Sequence, residues 1–121
     1  MDLRGHLDLL LLSVLERSDA LHGYALIVAL REGSDGIFDL PEGTVYPALH
    51  RLERDGLISS DWSTESGRRR RAYSLTDDGR RALAARREEW ARFARGVEQL
   101  STRPRRRSAR VATFALGTVT A

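Results

Sequence analysis

The chain has 121 residues, no Cys, 41% hydrophobic and 31% charged residues, which excludes a disulfide scaffold, a thiolate metal site and wholesale disorder and leaves room for one domain. No apolar run approaches the ~18 residues of a membrane span, and no basic, apolar, small-residue opening marks a signal peptide, so a soluble, cytoplasmic protein is expected. All 20 basic residues are Arg, and their placement is uneven: residues 1–50 carry net −5, residues 51–100 net +3 and residues 101–121 net +5, with Arg68, Arg69, Arg70 and Arg71 consecutive.

Residues 5–17 place Leu7, Leu10, Leu11, Val14 and Leu15 at i, i+3, i+4, i+7 and i+8, which predicts a helix. Leu9 and Leu12 widen its stripe, so burial on more than one side is expected. A second short helix over 22–32 continues the pattern through Tyr24, Ile27, Val28 and Leu30. Gly33 to Gly36 is a loop by its turn residues. A third helix is read with Thr44 as N-cap, which puts Pro47 in the first turn, where a missing N–H costs little. A start near Pro41 makes Pro47 break an internal hydrogen bond. Val45, Ala48, Leu49 and Leu52 form the apolar face. Tyr46, Pro47, His50, Arg51 and Arg54 lie on or beside the other, and Gly56 ends the helix as its C′ glycine.

Leu57–Trp62 and Arg70–Leu75 read as two strands joined by a longer polar loop over 63–69. Period two points Tyr73 and Leu75 inward and leaves Arg71 near the rim. Thr76 caps a last helix over about 77–100, with Asp77 and Asp78 in its first turn. Along it Leu83, Trp90 and Val97 repeat every seven residues, as do Phe93 and Leu100, offset by three: an a/d seam with Arg86 in one d-type slot. This stripe is expected to lack intrachain cover, so Leu83, Trp90, Phe93, Val97 and Leu100, with Leu7, Leu10 and Leu11 of the first helix, are assigned to a homodimer interface. Residues 101–121 are expected to form a basic tail, disordered or ordered only against a partner.

Helix, helix, helix, hairpin, helix is the order of a winged helix-turn-helix. The expected fold is mainly α with a small β-hairpin: a winged helix-turn-helix over 1–76 and a long C-terminal dimerisation helix over 77–100. The third helix is then the reader and the hairpin the wing. Arg51 and Arg54 on an exposed helix face suit phosphates and base edges in a major groove. Arg68, Arg69, Arg70 and Arg71 on a wing suit a narrow, negative groove. His6, His22 and His50 fall on separate elements without metal spacing, and neither a phosphate-cradling glycine loop nor a nucleophilic set occurs. No metal, cofactor or enzymatic activity is therefore expected.

The stretches HGYALI (22–27), GTVYPALHRLERDGLI (43–58) and GRRRRAYSLTDDGRRAL (67–83) resemble, in order and spacing, the PadR family of bacterial transcriptional regulators. The resemblance covers roughly residues 5–100, and the single C-terminal helix is similar to that of the compact subgroup, in which it forms the dimer. It implies that the segment Thr44, Val45, Tyr46 and Pro47 opens the recognition helix, with Tyr46 as a DNA contact; His50, on the polar face of the same helix, is assigned to DNA from its position beside the arginines. It further implies an operator with ATGT/ACAT-like inverted arms about one helical turn apart. Ala72 and Ser74 depart from the family's usual aromatic and basic residues, which weakens the expected hold of the wing. As in multidrug-responsive relatives, two Trp90 rings facing each other across a dimer could leave a slot for a planar hydrophobic effector, with Phe93 and Val97 beside it.

The expected function is a homodimeric repressor on double-stranded operator DNA, released by such an effector. Two other readings stay open: a winged-helix regulator without small-molecule input, and a protein-docking module that has lost DNA binding. Arg51, Arg54 and the arginine run argue against the last.

Overall fold

The computed structural model describes residues 3–65, 67–102 and 104. The elements run α1 (Leu3–Glu16), β1 (Leu21–His22), α2 (Gly23–Gly33), α3 (Glu42–Arg54), β2 (Ile58–Glu65), β3 (Arg68–Leu75) and α4 (Asp77–Thr102). The chain divides into two compact units, Met1–Glu89 and Trp90–Ala121. The second consists, among the described residues, of the latter part of α4 and Pro104. Apart from Ser101 and Thr102, which extend α4, and Pro104, the expected basic tail lies outside the described residues.

In the first unit, three helices pack against a three-stranded antiparallel sheet of order β1-β3-β2. Strand β1 was absent from the sequence reading. It is two residues long and pairs Leu21 with Tyr73 and His22 with Ala72, too short for any periodicity to announce it. The hairpin is also tighter than expected: pairing continues from Ile58↔Leu75 out to Glu65↔Arg68, so the connection is two residues, ending at Gly67 with φ 77°. Polar residues that resemble a loop in sequence thus form an exposed ribbon whose backbone is satisfied by the ladder.

The buried face of α1 is rotated from the predicted one. Asp8, Leu11, Leu12 and Leu15 are buried, while Leu7, Leu10 and Val14 are only partly covered. Leu11 therefore belongs to the core of its own chain and is not available to a dimer interface. In α2 the buried set is Gly23, Leu26, Ile27 and Leu30, with Tyr24 exposed. The apolar face of α3, Val45, Ala48, Leu49 and Leu52, is buried as its spacing predicts.

Helix α3 begins at Glu42 with Pro41 in the N-cap position, so Thr44 lies inside the helix and Pro47 interrupts its ladder. The Thr44 and Val45 amides donate to the Pro41 carbonyl at 3.0 and 3.1 Å. Pro47 deprives only the carbonyl of Gly43, which is exposed at the helix start, where water can replace the lost donor. At the other end Gly56, with φ 79°, closes a Schellman turn: its amide donates to Glu53 O and the Leu57 amide to Leu52 O, each at 3.0 Å.

Thr76 joins that turn to α4. Its Oγ1 accepts from the Gly79 amide at 3.0 Å, as an N-cap should, and donates to the Gly56 carbonyl at 2.7 Å. The first turns of α4 are consequently part of the core. Leu83 is fully buried within its own chain, which corrects its assignment to a dimer seam. A Cβ at Gly79 would stand 2.0 Å from the Leu57 carbonyl oxygen and 2.8 Å from Leu75 Cδ1. Backbone cannot yield as a side chain can, so Gly79→Ala should cost about 3 kcal/mol. Urea unfolding should show a lower midpoint at unchanged slope.

Candidate nucleic-acid interface

Burying one face of α3 leaves Thr44, Pro47, His50 and Arg54 on the exposed side. Arg54 is 74% exposed and only 3.6 Å from Asp55, a surface contact of little energy that leaves the guanidinium accessible. Arg51 behaves differently. Its Nη1 and Nη2 donate to the two carboxylate oxygens of Asp8 at 3.0 and 2.7 Å, and its side chain is 16% exposed. The expectation that Arg51 contacts DNA is corrected accordingly: a bidentate pair with a buried carboxylate holds the group against α1. Arg86 of α4 reaches the same carboxylate at 3.3 Å.

Tyr46 is also more structural than expected. A Cβ on Gly23 would come within 2.5 Å of its ring, so the ring lies directly over the first residue of α2. Gly23 is needed there because only glycine admits that approach. Tyr46 nevertheless lines a groove of about 570 Å³ that it shares with His50, Trp62, Arg68, Arg70 and Arg71. The hairpin and α3 thus border one concave surface. Glu42 is a carboxylate on that surface, set against the three arginines.

The wing is tied to α3 by a polar chain. Arg71 Nε donates to Ser60 Oγ at 3.0 Å, and Ser60 Oγ donates to Glu53 Oε2 at 2.5 Å. Tyr73, beneath them, has its phenol pushed up from the ordinary range by burial, with the Glu53 carboxylate adding and the Arg71 guanidinium opposing. It therefore stays neutral. Arg68, Arg69 and Arg71 are exposed and Arg70 partly so, which leaves the arginine run on the surface as predicted.

Trp62, expected only as the end of a strand, lies on the groove as well. Its alternation with Ser60 along β2 was the available signal. For Asp8 the signal was a charge inside an apolar helix, at i, i+3, i+4 and i+7 with Leu11, Leu12 and Leu15. Among the described residues no group of three His, Asp or Glu is placed to hold a metal ion, and no helix is long and apolar enough to cross a membrane.

The model of the transcriptional regulator PadR-like family matches residues 11–85. The chain belongs to this family. It is 49% identical over 55 residues to the transcriptional regulator Rv3488 of Mycobacterium tuberculosis, a match covering 46% of this chain and 51% of that protein. It is 34% identical over 85 residues to the transcriptional regulator YqjI of Escherichia coli, covering 70% of this chain and 39% of that one. The chain thus spans about half or less of the length of these two relatives. Among solved structures it is similar to a transcriptional regulator from Clostridium thermocellum, with TM-score 0.73 and 30% identity over 81% of this chain and 95% of that one. It is likewise similar to a PadR family regulator from Clostridium difficile, with TM-score 0.67 and 35% identity over 78% and 97%. The PadR match contains every residue of the groove.

The Asp8 pair supplies a test of this geometry. Asp8→Asn keeps the shape but leaves Arg51 with a neutral partner, which should cost about 3 kcal/mol. The Arg87–Glu16 contact has the same 2.7 Å separation but is exposed, so Glu16→Gln should cost less than about 1 kcal/mol. Paired urea titrations check both.

Proposed function

We propose that this PadR-family regulator is a homodimeric, DNA-binding repressor. The observation that carries the reading is the shared groove: Glu42, Tyr46 and His50 of α3 and Arg68, Arg70 and Arg71 of the wing line one surface. Thr44, Pro47, His50 and Arg54 would enter the major groove, and Arg68, Arg69, Arg70 and Arg71 would meet phosphate or minor groove at its flank. Tyr46 would contribute from the rim of the groove while packing on Gly23.

The dimer contact is assigned to the apolar residues of α4 that remain exposed, Trp90, Phe93, Val97 and Leu100, the last 88% exposed; Leu7 and Leu10 of α1, partly covered, stay assigned to a contact between copies as well. Trp90 and Phe93 have ring centres 5.7 Å apart at a 35° tilt, an aromatic surface suited to a planar hydrophobic effector. An effector that prefers one spacing of the two heads would release DNA; equal affinity for both spacings would shift nothing.

A gel shift on the DNA upstream of the protein's own gene tests the reading, with retardation expected and lost on adding an active planar compound. Affinity should fall with salt at a log–log slope of about −0.9 per phosphate contact. Arg69→Ala with Arg70→Ala should flatten that slope and weaken all sequences together, whereas His50→Ala should cost specific binding more than non-specific binding. Leu100→Asp should shift light scattering from dimer to monomer, since it sets a charge in an apolar contact. A wild-type monomer at micromolar concentration would refute the dimer. Quenching of Trp fluorescence by no planar compound would favour a regulator without small-molecule input.

A further inference from the structure

Trp62 is the large aromatic that the wing leaves on the surface, 56% exposed. The register sets Trp62 opposite Arg71 and Thr64 opposite Arg69, so period two brings Trp62, Arg69 and Arg71 to one face of the hairpin. Both guanidiniums lie on the indole, with Cζ of Arg69 at 4.8 Å and Cζ of Arg71 at 5.1 Å from the ring centre. Trp62 and Arg71 line the same groove as Tyr46 and His50, so two of the three members of the cluster border the surface shared with α3, and Arg69 lies beyond it on the same face of the hairpin.

Two like charges on neighbouring positions repel, and long exposed arginines ordinarily scatter over many rotamers. The face of an indole opposes both effects, because its quadrupole attracts each cation and indole is the best aromatic for this contact. A guanidinium held by an aromatic surface is stiffened and still keeps hydrogen-bond donors for phosphate or base-edge acceptors. Arg71 is fixed from a second side by its bond to Ser60 Oγ. The result is a paired positive probe with reduced freedom. Narrow minor grooves over A·T tracts carry the enhanced negative potential that such a probe favours, and wider G·C grooves do not.

We propose that Trp62 is a positioning residue for flank selectivity: it holds Arg69 and Arg71 as a pair that prefers an A·T-rich minor groove beside the operator arms. The proposal rests on the DNA-binding reading and goes beyond it by naming what the wing discriminates.

The test uses the full chain and two duplexes with the same ATGT/ACAT-like inverted arms, one flanked by A-tracts and one by G·C steps, titrated by fluorescence anisotropy at one salt concentration. Wild type should prefer the A-tract duplex by about fivefold. Trp62→Leu should reduce that preference to less than about twofold by losing more affinity for the A-tract duplex than for the G·C duplex, and Trp62→Phe, which keeps a ring, should retain most of the preference. A wild type without flank preference overturns the proposal. So does a Trp62→Leu protein that loses the same factor on both duplexes, because that is the signature of a merely structural Trp62. Failure of wild type to bind either duplex overturns the DNA-binding reading itself and this proposal with it.

Discussion

The first compact unit of this PadR-family chain is organised around one buried charge. Asp8 is 2% exposed and is the buried charged residue among those described. An isolated carboxylate in that position would be strongly unfavourable. It is tolerated because Arg51 of α3 meets it with two hydrogen bonds and Arg86 of α4 adds a third cationic contact. Such a cluster is weak evidence for net stability, since apolar groups of similar volume could fill the space as well. What it adds is geometry: the bidentate fork accepts one orientation of α3 against α1, and Leu residues at the same positions would accept several. Removing one partner is costly for the same reason, because the charge left behind has nowhere to go.

Arg86 also explains an oddity of α4. Its heptad pattern runs through Leu83, Trp90, Phe93, Val97 and Leu100, broken by Arg86 in a core-type slot. The burial changes where the pattern is broken. Gly79 and Leu83 are buried, and Arg86 is turned to Asp8, whereas Trp90, Phe93, Val97 and Leu100 are exposed. One periodicity therefore serves two purposes along one helix: covering the core of its own chain, and presenting an apolar stripe for which the proposed function supplies a second copy. Sequence spacing reports only that a face is apolar, and cannot say which molecule covers it.

The same distinction separates what the sequence made legible from what it did not. The inner face of α3, the Gly56 stop and the Thr76 cap were all readable, because each depends on residues within one or two turns. The start of α3 was misplaced because Pro47 was weighed as an internal fault, while the fold leaves the affected Gly43 carbonyl in water. Of the candidate DNA residues, Thr44, Pro47, His50, Arg54, Arg68, Arg69 and Arg71 are on exposed positions and Arg70 on a partly exposed one. Arg51 was not separable from Arg54 by pattern, since both are cations on a polar face three residues apart; only the partner 43 residues away distinguishes them. Strand β1, the Gly23–Tyr46 approach and the Trp62 cluster are likewise long-range facts with faint local traces.

Withdrawing Arg51 from the reader helix changes how the proposed function divides its labour. The exposed side of α3 is left with a threonine, a proline, a histidine and one accessible arginine, while the wing carries four consecutive arginines. Phosphate neutralisation scales with cations and base discrimination with placed donors and contacts, so affinity would reside mainly in the wing and sequence reading mainly in α3. Residues 1–100 carry net −2 overall, and non-specific attraction must then come from where the arginines stand rather than from how many there are. The Glu53–Ser60–Arg71 chain becomes the link between the two functions, because it runs from α3 through β2 to the wing. A wing that holds DNA firmly but hangs loosely from the reader would neutralise phosphates without fixing the register of α3. The hydrogen bonds through Ser60 oppose that failure: the short serine loses little freedom on being ordered, and it fixes the ends of two long side chains, Glu53 and Arg71, whose lost rotamer freedom the bonds must offset.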